Sequence, residues 1–260
     1  MAEVRAVRPG LWVVETQVED FDVRAVLVAG AERAVVFDTL ARPADMAGVA
    51  EMVPDLPLSV VYSHGDWDHV WGTKGLSRPP TAVLAHEVCR PRFAKEIPAT
   101  LVEKQAEAPD EYAGIELVAP TRMFSSEMEL DLGEISLKLH HLPGHTPDSV
   151  VGYIPEWGVF LAGDAVETPL PFLNDAGAVP SWVTGLQGWH KRLTEGLPTP
   201  NPVPPLVIPS HGPLGGAELL ARNVEYLRAL MDGEQPLLPT RMPTFYTQTH
   251  AANLALMTNL

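Results

Sequence analysis

Ser63-His64-Gly65-Asp66-Trp67-Asp68-His69 is the most informative stretch of this sequence, because four potential metal ligands fall within six residues. The stretch directly follows LSVVY at 58–62, an apolar run of the kind that forms a strand covered on both faces. A helix could not aim all four side chains at one point, whereas an irregular loop at a strand end can. His and carboxylate ligands suit zinc, and also iron or manganese. The stretch therefore predicts a metal-binding loop, with a hydrogen-bonded surface turn as the alternative.

Three further His or Asp side chains follow apolar runs that we predict to be strands. His145 lies in the turn Pro143-Gly144-His145-Thr146-Pro147, after residues 135–141. Asp164 follows Gly163 at the end of residues 158–162, and His211 follows Ser210 after residues 205–209. Each of these, taken alone, is equally compatible with a turn or a cap.

The remaining pattern is that of an α/β chain. We predict further strands at 11–15, 23–29, 33–38, 81–85 and 149–154, and helices at 42–53, at 181–196 (Ser181 as N-cap, Gly196 as end) and around 220–231. Residues 103–116 are expected to form an exposed helix or loop, and 198–205 a proline-rich linker. The tail 244–260 has no predicted place. The polar clusters fall at strand ends, where α/β folds carry their chemistry, and we expect one domain over 1–260.

Composition limits the classes of function. The chain has 260 residues, 46% hydrophobic and 20% charged, and a formal charge of −15 that disfavours binding to nucleic-acid phosphates. Its one cysteine, Cys89, excludes an intramolecular disulfide and a Cys-rich zinc site. We expect no signal peptide, no membrane span and a cytoplasmic location. The expected partner is a small-molecule substrate rather than nucleic acid or membrane; the oligomeric state stays open.

The four ordered clusters together resemble the metallo-β-lactamase superfamily, whose pattern is His-x-His-x-Asp-His, a Gly-His turn, a Gly-Asp turn and a final Gly-His or Ser-His. The resemblance covers about residues 10 to 230 and implies an αββα sandwich with two metal ions at one edge. It implies that His64, Asp66 and His145 hold metal one, that Asp68, His69 and His211 hold metal two, and that Asp164 bridges both. It further implies a hydrolase acting on a small ester, lactone, thioester or β-lactam-like substrate through a metal-bridging hydroxide, which Asp68 would orient as a catalytic residue.

Asp66 departs from the family pattern, which has His at this position. Two divalent ions contribute a charge of +4, three carboxylates −3 and a bridging hydroxide −1, so the net charge of the site is zero. With His at position 66 the net charge would be +1. A more negative site should make bound water less acidic and should favour manganese or iron over zinc. We therefore expect two divalent ions, with zinc preferred and manganese or iron as alternatives, and we hypothesise an alkaline optimum or a non-zinc native metal. Asp66→His should lower the optimum.

Two other functions remain open. The flavodiiron proteins share the fold and carry Glu where this chain has Asp66, so a di-iron redox enzyme is conceivable, although we expect no flavodoxin domain here. A phosphodiesterase is a further alternative, and a non-catalytic binding protein is disfavoured by the complete ligand set.

Several other residues have less certain roles. Asp38 is predicted either to orient a ligand imidazole or to cap its strand. Trp67 and Trp71 either line the pocket or pack beneath it. His140 and His141 receive no ligand role, Asp148 has no functional account, and Cys89 is placed away from the motifs. Loops 86–128 and 165–182 are expected to select the substrate.

Overall fold

The apolar, β-branched runs form two sheets that pack face to face in a computed structural model, which describes residues 2–195 and 204–258. The first sheet has seven strands in chain order. Neighbours are antiparallel from β1 to β4 and parallel from β4 to β7. The strands are β1 (Glu3–Arg8), β2 (Leu11–Val18), β3 (Phe21–Ala29), β4 (Ala34–Phe37), β5 (Leu58–Val61), β6 (Val83–His86) and β7 (Arg122–Phe124).

The second sheet has five strands in the order β12-β11-β10-β9-β8. Its strands are β8 (Glu127–Asp131), β9 (Ser136–His141), β10 (Val150–Ile154), β11 (Val159–Gly163) and β12 (Leu206–Pro209). β10 is antiparallel to both β9 and β11, and β11 is parallel to β12. Strands β9, β11 and β12 therefore run in one direction and end at the same edge.

Helices cover the outer faces of both sheets, which confirms the predicted αββα sandwich. An apolar core that draws residues from both sheets, such as Val35 and Leu161, lies between them. A second core packs the short helices against the first sheet, and a third packs the long helices against the second sheet. The helices are α1 (Trp67–Val70), α2 (Cys89–Ala94), α3 (Glu96–Glu107), α4 (Val179–Glu195), α5 (Glu218–Met231) and α6 (Thr244–Thr258).

The predicted helix over 42–53 was wrong. The segment forms two short 3-10 turns, Pro43–Met46 and Ala50–Met52. Gly48 between them has a φ of +84°, a left-handed conformation that interrupts any helix. Met46 and Val49 are nevertheless fully buried, so the apolar spacing marked a buried segment without specifying its backbone.

Other boundaries also shifted. α4 begins at Val179, and Ser181 donates its hydroxyl to the Ala178 carbonyl inside the first turn instead of capping the helix. The tail is helical as α6, and the acidic stretch overlaps the end of α3. The three strands without a sequence prediction, β1, β7 and β8, are short and largely exposed. Gly196 and most of the 198–205 linker lie outside the described residues.

No helix within 2–195 and 204–258 has the length and apolar character needed to cross a membrane.

Candidate metal centre

All seven predicted ligands lie at the edge where strands of both sheets end. His64, Asp66, Asp68 and His69 follow β5. The other three follow β9, β11 and β12 at the matching edge of the second sheet: His145, Asp164 and His211. At this edge the Val150 amide donates to the Ser63 carbonyl at 2.7 Å, which joins the two sheets directly. The parallel ends of strands from two sheets thus converge on one point.

The turn that carries His145 depends on a close approach to α4. A Cβ added to Gly144 would lie 2.2 Å from Cγ of Trp182, a distance that no side chain can tolerate. The Trp182 ring is fully buried, and its indole nitrogen donates to the Ala165 carbonyl. Gly144 therefore lets the turn rest on a fixed aromatic surface, with His145 directed into the site.

The first group of ligands is His64, Asp66 and His145. Oδ2 of Asp66 lies 3.5 Å from Nε2 of His64 and 3.2 Å from Nε2 of His145. One potential ligand atom from each of the three residues lies within 4.8 Å of the others. This is the set that the resemblance assigns to metal one.

The second group is Asp68, His69 and His211. Oδ2 of Asp68 lies 3.5 Å from Nε2 of His69 and 3.5 Å from Nε2 of His211. These three residues also offer ligand atoms within 4.8 Å of one another, and all three are buried. They match the set that the resemblance assigns to metal two.

Asp164 lies at the centre of both groups. Its Oδ2 is 3.7 Å from Nε2 of His64 and 3.8 Å from Nε2 of His145 in the first group. The same oxygen is 3.3 Å from Nε2 of His69 and 3.2 Å from Nε2 of His211 in the second. A single carboxylate oxygen therefore faces all four imidazoles, which is the position that a bridging ligand requires.

Each imidazole is oriented through its other ring nitrogen. The Nδ1 contacts are His64 to Ser63 Oγ (2.9 Å), His69 to Asp38 Oδ2 (3.0 Å), His145 to the Phe172 carbonyl (2.9 Å) and His211 to the Asp22 carbonyl (2.6 Å). Because the acceptors engage Nδ1, each ring keeps its Nε2 lone pair for the centre of the site. Asp38 thus contacts the imidazole of His69, the geometry expected if it orients a ligand; that His69 is a ligand stays a prediction.

The donor set fits metal ions. Among the described residues, Nε2 of His64, Nε2 of His69 and Oδ1 of Asp164 are buried without any hydrogen-bond partner. Leaving such atoms unpaired costs free energy in a folded protein. Four imidazole nitrogens and three carboxylates that converge on one point are the ligands that zinc and related divalent ions take. Ligation itself stays a prediction.

The buried carboxylates and imidazoles of the site shift one another's pKa values. Burial raises the pKa of Asp164, but His69 and His211 lower it more, so it lies well below the usual range. The pKa of Asp66 is lowered in the same sense, burial being outweighed by His64 and His145. Burial lowers the pKa of His145 and His211, but the surrounding carboxylates raise them to about 9 and about 10. Protons therefore occupy these histidines when metal does not.

Glu167 is a member of the site that the sequence analysis missed. It is buried and offers an oxygen within 4.8 Å of ligand atoms of His145 and Asp164. Its Oε1 accepts from the Phe172 amide at 3.3 Å. Burial, and then the charge of Asp164, raises its pKa to about 7. Its position three residues after Asp164, in a loop already suspected of shaping the pocket, was the available signal.

Arg92 was also missed, and it explains a residue that had no functional account. Its guanidinium on α2 contacts Oδ1 of Asp66 at 2.5 Å and Oδ1 of Asp148 at 2.6 Å. Cys89, on the same helix, is buried beside Asp148, and burial raises the pKa of its thiol. The placement of Cys89 away from the motifs was therefore wrong, because α2 packs against the site.

Two cavities meet at Asp66 and Trp67. The first, of about 290 Å³, opens on the ligands and is walled by aromatic rings and a lysine: Phe21, Trp67, Lys104, Phe172 and Phe245. The second, of about 670 Å³, extends along α2 and α3 past Arg92 and Lys95. The predicted substrate loops 86–128 and 165–182 contribute to both walls. Phe21 and Phe245 lie outside those loops and were not foreseen.

The remaining aromatic predictions divide. Trp67 lines both cavities, whereas Trp71 is fully buried and touches only the second. His140 pairs with Glu127 at 3.1 Å, and His141 contacts the Pro147 carbonyl at 2.8 Å. Neither histidine belongs to a ligand group among the described residues, in agreement with the sequence analysis.

The solved structures that this chain resembles include metallo-beta-lactamases. One from Pontibacter korlensis aligns with a TM-score of 0.66 and 20% identity, over 88% of this chain and 99% of that protein. The DIM-1 metallo-beta-lactamase aligns with a TM-score of 0.65 and 18% identity, over 88% of this chain and 97% of that protein. FIM-1 from Pseudomonas aeruginosa, in its mono-zinc form, aligns with a TM-score of 0.61 and 20% identity, over 85% of this chain and 92% of that protein. These likenesses show the fold, and a search of curated proteins found no match.

The sequence itself carries the family. The pattern of the metallo-beta-lactamase superfamily matches residues 18–211, well over half of the chain. The matched region starts in β2 and ends at His211, so it contains all seven predicted ligands, while α5 and α6 lie beyond it. Most members are metal-dependent hydrolases, although some are not hydrolytic. The ordered ligands, their convergence at one edge of an αββα sandwich and this match together show that the chain belongs to the metallo-beta-lactamase superfamily.

Proposed function

We propose that this protein is a dinuclear metal-dependent hydrolase of small ester, lactone, thioester or β-lactam-like substrates. The observation that carries the proposal is the position of Asp164, whose Oδ2 lies between 3.2 and 3.8 Å from four imidazole nitrogens. An isolated carboxylate does not need four such neighbours, whereas a bridging ligand between two cations does. Zinc is the preferred ion, with manganese or iron as alternatives because Asp66 adds an oxygen donor.

The chemistry assigns distinct roles to the residues of the site. When bound, the ions would supply Lewis acidity and lower the pKa of an attacking water. Asp68 is nearly buried, lines the smaller cavity and faces His69 and His211 through Oδ2. In the proposed reaction its carboxylate would orient the attacking water, accept its proton as the new acyl–oxygen bond forms, and return that proton to the leaving group when its bond to the acyl carbon breaks. The four oriented imidazoles would hold the ions through their Nε2 lone pairs.

The smaller cavity supports a small substrate with an apolar portion. Its volume of about 290 Å³ is near the lower limit for small-molecule sites. Phe21 and Phe245 pack at 4.5 Å between ring centroids on one side. Lys104 lies 4.6 Å from the centroid of the Trp67 ring and pairs with Glu19 at 2.7 Å. An acyl group could pack on these rings while its carbonyl faces the ligands.

The test combines metal analysis with a substrate panel. The purified protein should contain about two divalent ions per chain and should hydrolyse at least one ester, lactone, thioester or β-lactam in the panel. The Asp164→Asn variant should lose most of its bound metal and most of its hydrolytic activity, because one oxygen of Asp164 faces all four imidazoles. Asp131→Asn, a change of the same type at an exposed turn, should lose neither. A wild-type protein without stoichiometric metal would refute the proposal.

One observation favours a second candidate, a di-iron redox enzyme. Asp66 places a carboxylate beside His64 and His145 in the first ligand group, and two histidines with one carboxylate are a set that iron takes. Bound iron with a visible absorption band, and no hydrolysis in the panel, would favour this candidate. A phosphodiester in the same panel tests the phosphodiesterase alternative.

A further inference from the structure

The two oxygens of Asp66 face different partners. Oδ2 points to the first ligand group, 3.2 Å from Nε2 of His145 and 3.5 Å from Nε2 of His64. Oδ1 points away and contacts Nη2 of Arg92 at 2.5 Å. A carboxylate with both oxygens free can bind a metal ion through either one or through both. Here the guanidinium already holds one of them.

The contacts of Arg92 require a guanidinium. Its Nη1 donates to Asp148 at 2.6 Å, its Nη2 to Asp66 at 2.5 Å, and its Nε to Glu96 at 3.0 Å. Three nitrogens in a fixed plane thus hold three carboxylates at set angles. A lysine ammonium offers the same charge from one atom and cannot keep this geometry. The role therefore depends on shape as well as on charge.

Asp148 anchors this arrangement from the protein interior. It is completely buried, and its Oδ2 has no hydrogen-bond partner among the residues that the structure describes. A buried carboxylate is costly unless it is paired, and Arg92 provides the ion pair. Asp148 follows the Gly-His turn, so the anchor of Arg92 and the ligand His145 lie on the same short loop.

We propose that Asp66, Arg92 and Asp148 act as one unit that replaces the histidine of the family pattern. Arg92 is a positioning residue: it holds Oδ1 of Asp66, so that Oδ2 alone serves as a ligand, as a single imidazole nitrogen would. Asp148 fixes Arg92 in turn. This inference rests on the proposed dinuclear site and explains two departures from the family, at positions 66 and 148, through one contact network.

The unit also changes the charge count of the site. Counting the ligands alone, Asp66 makes the site more negative by one charge than histidine would. The guanidinium of Arg92 lies directly against that added charge and offsets it, while the buried charge of Asp148 lies on the far side of Arg92. The expected alkaline displacement of the activity optimum should therefore be smaller than the ligand count alone predicts.

The test is a double-mutant cycle that keeps charge constant at position 92. Arg92→Lys is made in the wild-type background and together with Asp66→His, and Co(II) binding is measured by chelator competition. In the wild-type background, the product of the two stepwise dissociation constants should rise about 10- to 100-fold, as for the loss of other groups that orient ligands. In the Asp66→His background, the same change should alter it less than about threefold, because an imidazole has no second oxygen to hold.

Two controls accompany the cycle. Glu129→Gln removes a charge from an exposed ion pair with Lys138 on the second sheet, which makes no contact with Arg92, and should leave Co(II) binding unchanged. Asp148→Asn loosens Arg92 without altering its charge. If Arg92→Lys does not fold, Asp148→Asn takes its place in the cycle, with an expected loss of about three- to tenfold in the wild-type background and none in the Asp66→His background. Thermal unfolding of the metal-free proteins identifies any variant that fails to fold.

The outcomes separate the inference from the proposed function. A wild-type protein that binds neither cobalt nor zinc overturns both. Two ions in the wild type, with equal losses from Arg92→Lys in both backgrounds or no loss in either, overturn the inference alone. Failure of the folded Asp66→His protein to bind Co(II) overturns it as well, because the three residues would then not stand in for a histidine.

Discussion

Asp38→Asn should disable both metal positions, although Asp38 belongs to neither ligand group. Oδ1 of Asp38 accepts from the Ser63 amide at 2.7 Å. Oδ2 accepts from Ser63 Oγ at 2.7 Å and from Nδ1 of His69 at 3.0 Å. Asp38 has a φ of +62°, a conformation that asparagine tolerates well, so the substitution should not strain the backbone. Its effect should therefore come from hydrogen bonding.

The amide reverses two chains of hydrogen bonds. Its oxygen must stay on the Ser63 amide, so its NH₂ group replaces Oδ2 and faces Nδ1 of His69 and Ser63 Oγ. His69 can then accept at Nδ1 only by moving its proton to Nε2. The Ser63 hydroxyl loses Oδ2 as the acceptor of its own proton. Nδ1 of His64 is the neighbouring atom that can accept it, which moves the His64 proton to Nε2 as well. Neither Nε2 then has a lone pair to offer a metal ion.

The magnitude follows from the two affected ligands. Loss of a group that orients a metal-bound histidine costs about 10- to 100-fold in affinity. With one such histidine in each metal position, the product of the two stepwise dissociation constants should rise about 10²- to 10⁴-fold, or about 3 to 5.5 kcal/mol. Chelator competition with zinc measures this product. Nitrogen NMR of the histidine rings at saturating zinc reports, for each ring, which nitrogen carries the proton and which faces the ion.

The matched control is Asp131→Asn, at the exposed end of β8, whose side chain accepts from the Gly133 amide in the turn that follows. It should bind zinc as the wild type does. Wild-type affinity in Asp38→Asn, or weakened binding with unchanged histidine tautomers, would refute this reasoning.

Three further predictions follow from the same geometry. Glu167→Gln should change zinc affinity less than about threefold, since the amide can still accept from the Phe172 amide; a loss of tenfold or more would make Glu167 a ligand. Asn253→Ala should lower the free energy of unfolding by about 2 to 4 kcal/mol, measured by urea denaturation, because it leaves buried backbone groups on both sides of Phe172 unpaired. The metal-free protein should lose stability as the pH rises from about 6.5 to 10. The pKa values of His145 and His211 are raised to about 9 and about 10 in the folded protein, above the ordinary value of about 6.5. Their protonation therefore stabilises the fold fully below about pH 6.5, and this stabilisation is lost as the pH rises through the raised values. Each pH unit by which folding raises a pKa is worth about 1.4 kcal/mol, so the two histidines together correspond to a loss on the order of 8 kcal/mol. The zinc-loaded protein should not show this loss, and constant stability of the metal-free protein over this range would contradict the assignment.

The ligands were predictable because each one follows directly from its strand. Apolar runs mark β5, β9, β11 and β12, and a His or Asp next to Gly or Pro comes after each run. Since parallel strand ends meet at one edge, order along the chain was enough to bring the ligands together. The helix-like spacing of Met46 and Val49 misled for the opposite reason: it reports burial, and two 3-10 turns around a glycine bury the same side chains.

The residues that support the ligands were much less predictable. Arg92 lies 26 positions after Asp66, on the short helix α2, for which the sequence carries no clear helical pattern. The carbonyls of Asp22 and Phe172 orient two histidines through the backbone, so their side-chain identities carry no signal. Asn253, completely buried on α6, holds the backbone of Pro171 and Leu173. Such contacts depend on how distant segments pack, which composition and periodicity do not encode.

The distribution of ligands between the two sheets has a mechanical consequence. Each proposed metal position takes two ligands from the segment after β5, where Asp68 and His69 lie on the short helix α1, and its remaining ones from loops of the other sheet. An ion would therefore cross-link the halves of the sandwich. Separating the halves would require breaking coordination bonds as well as opening the apolar core. Zinc should therefore add to global stability by mass action, and chelation should leave a protein whose two sheets unfold less cooperatively than in the loaded state.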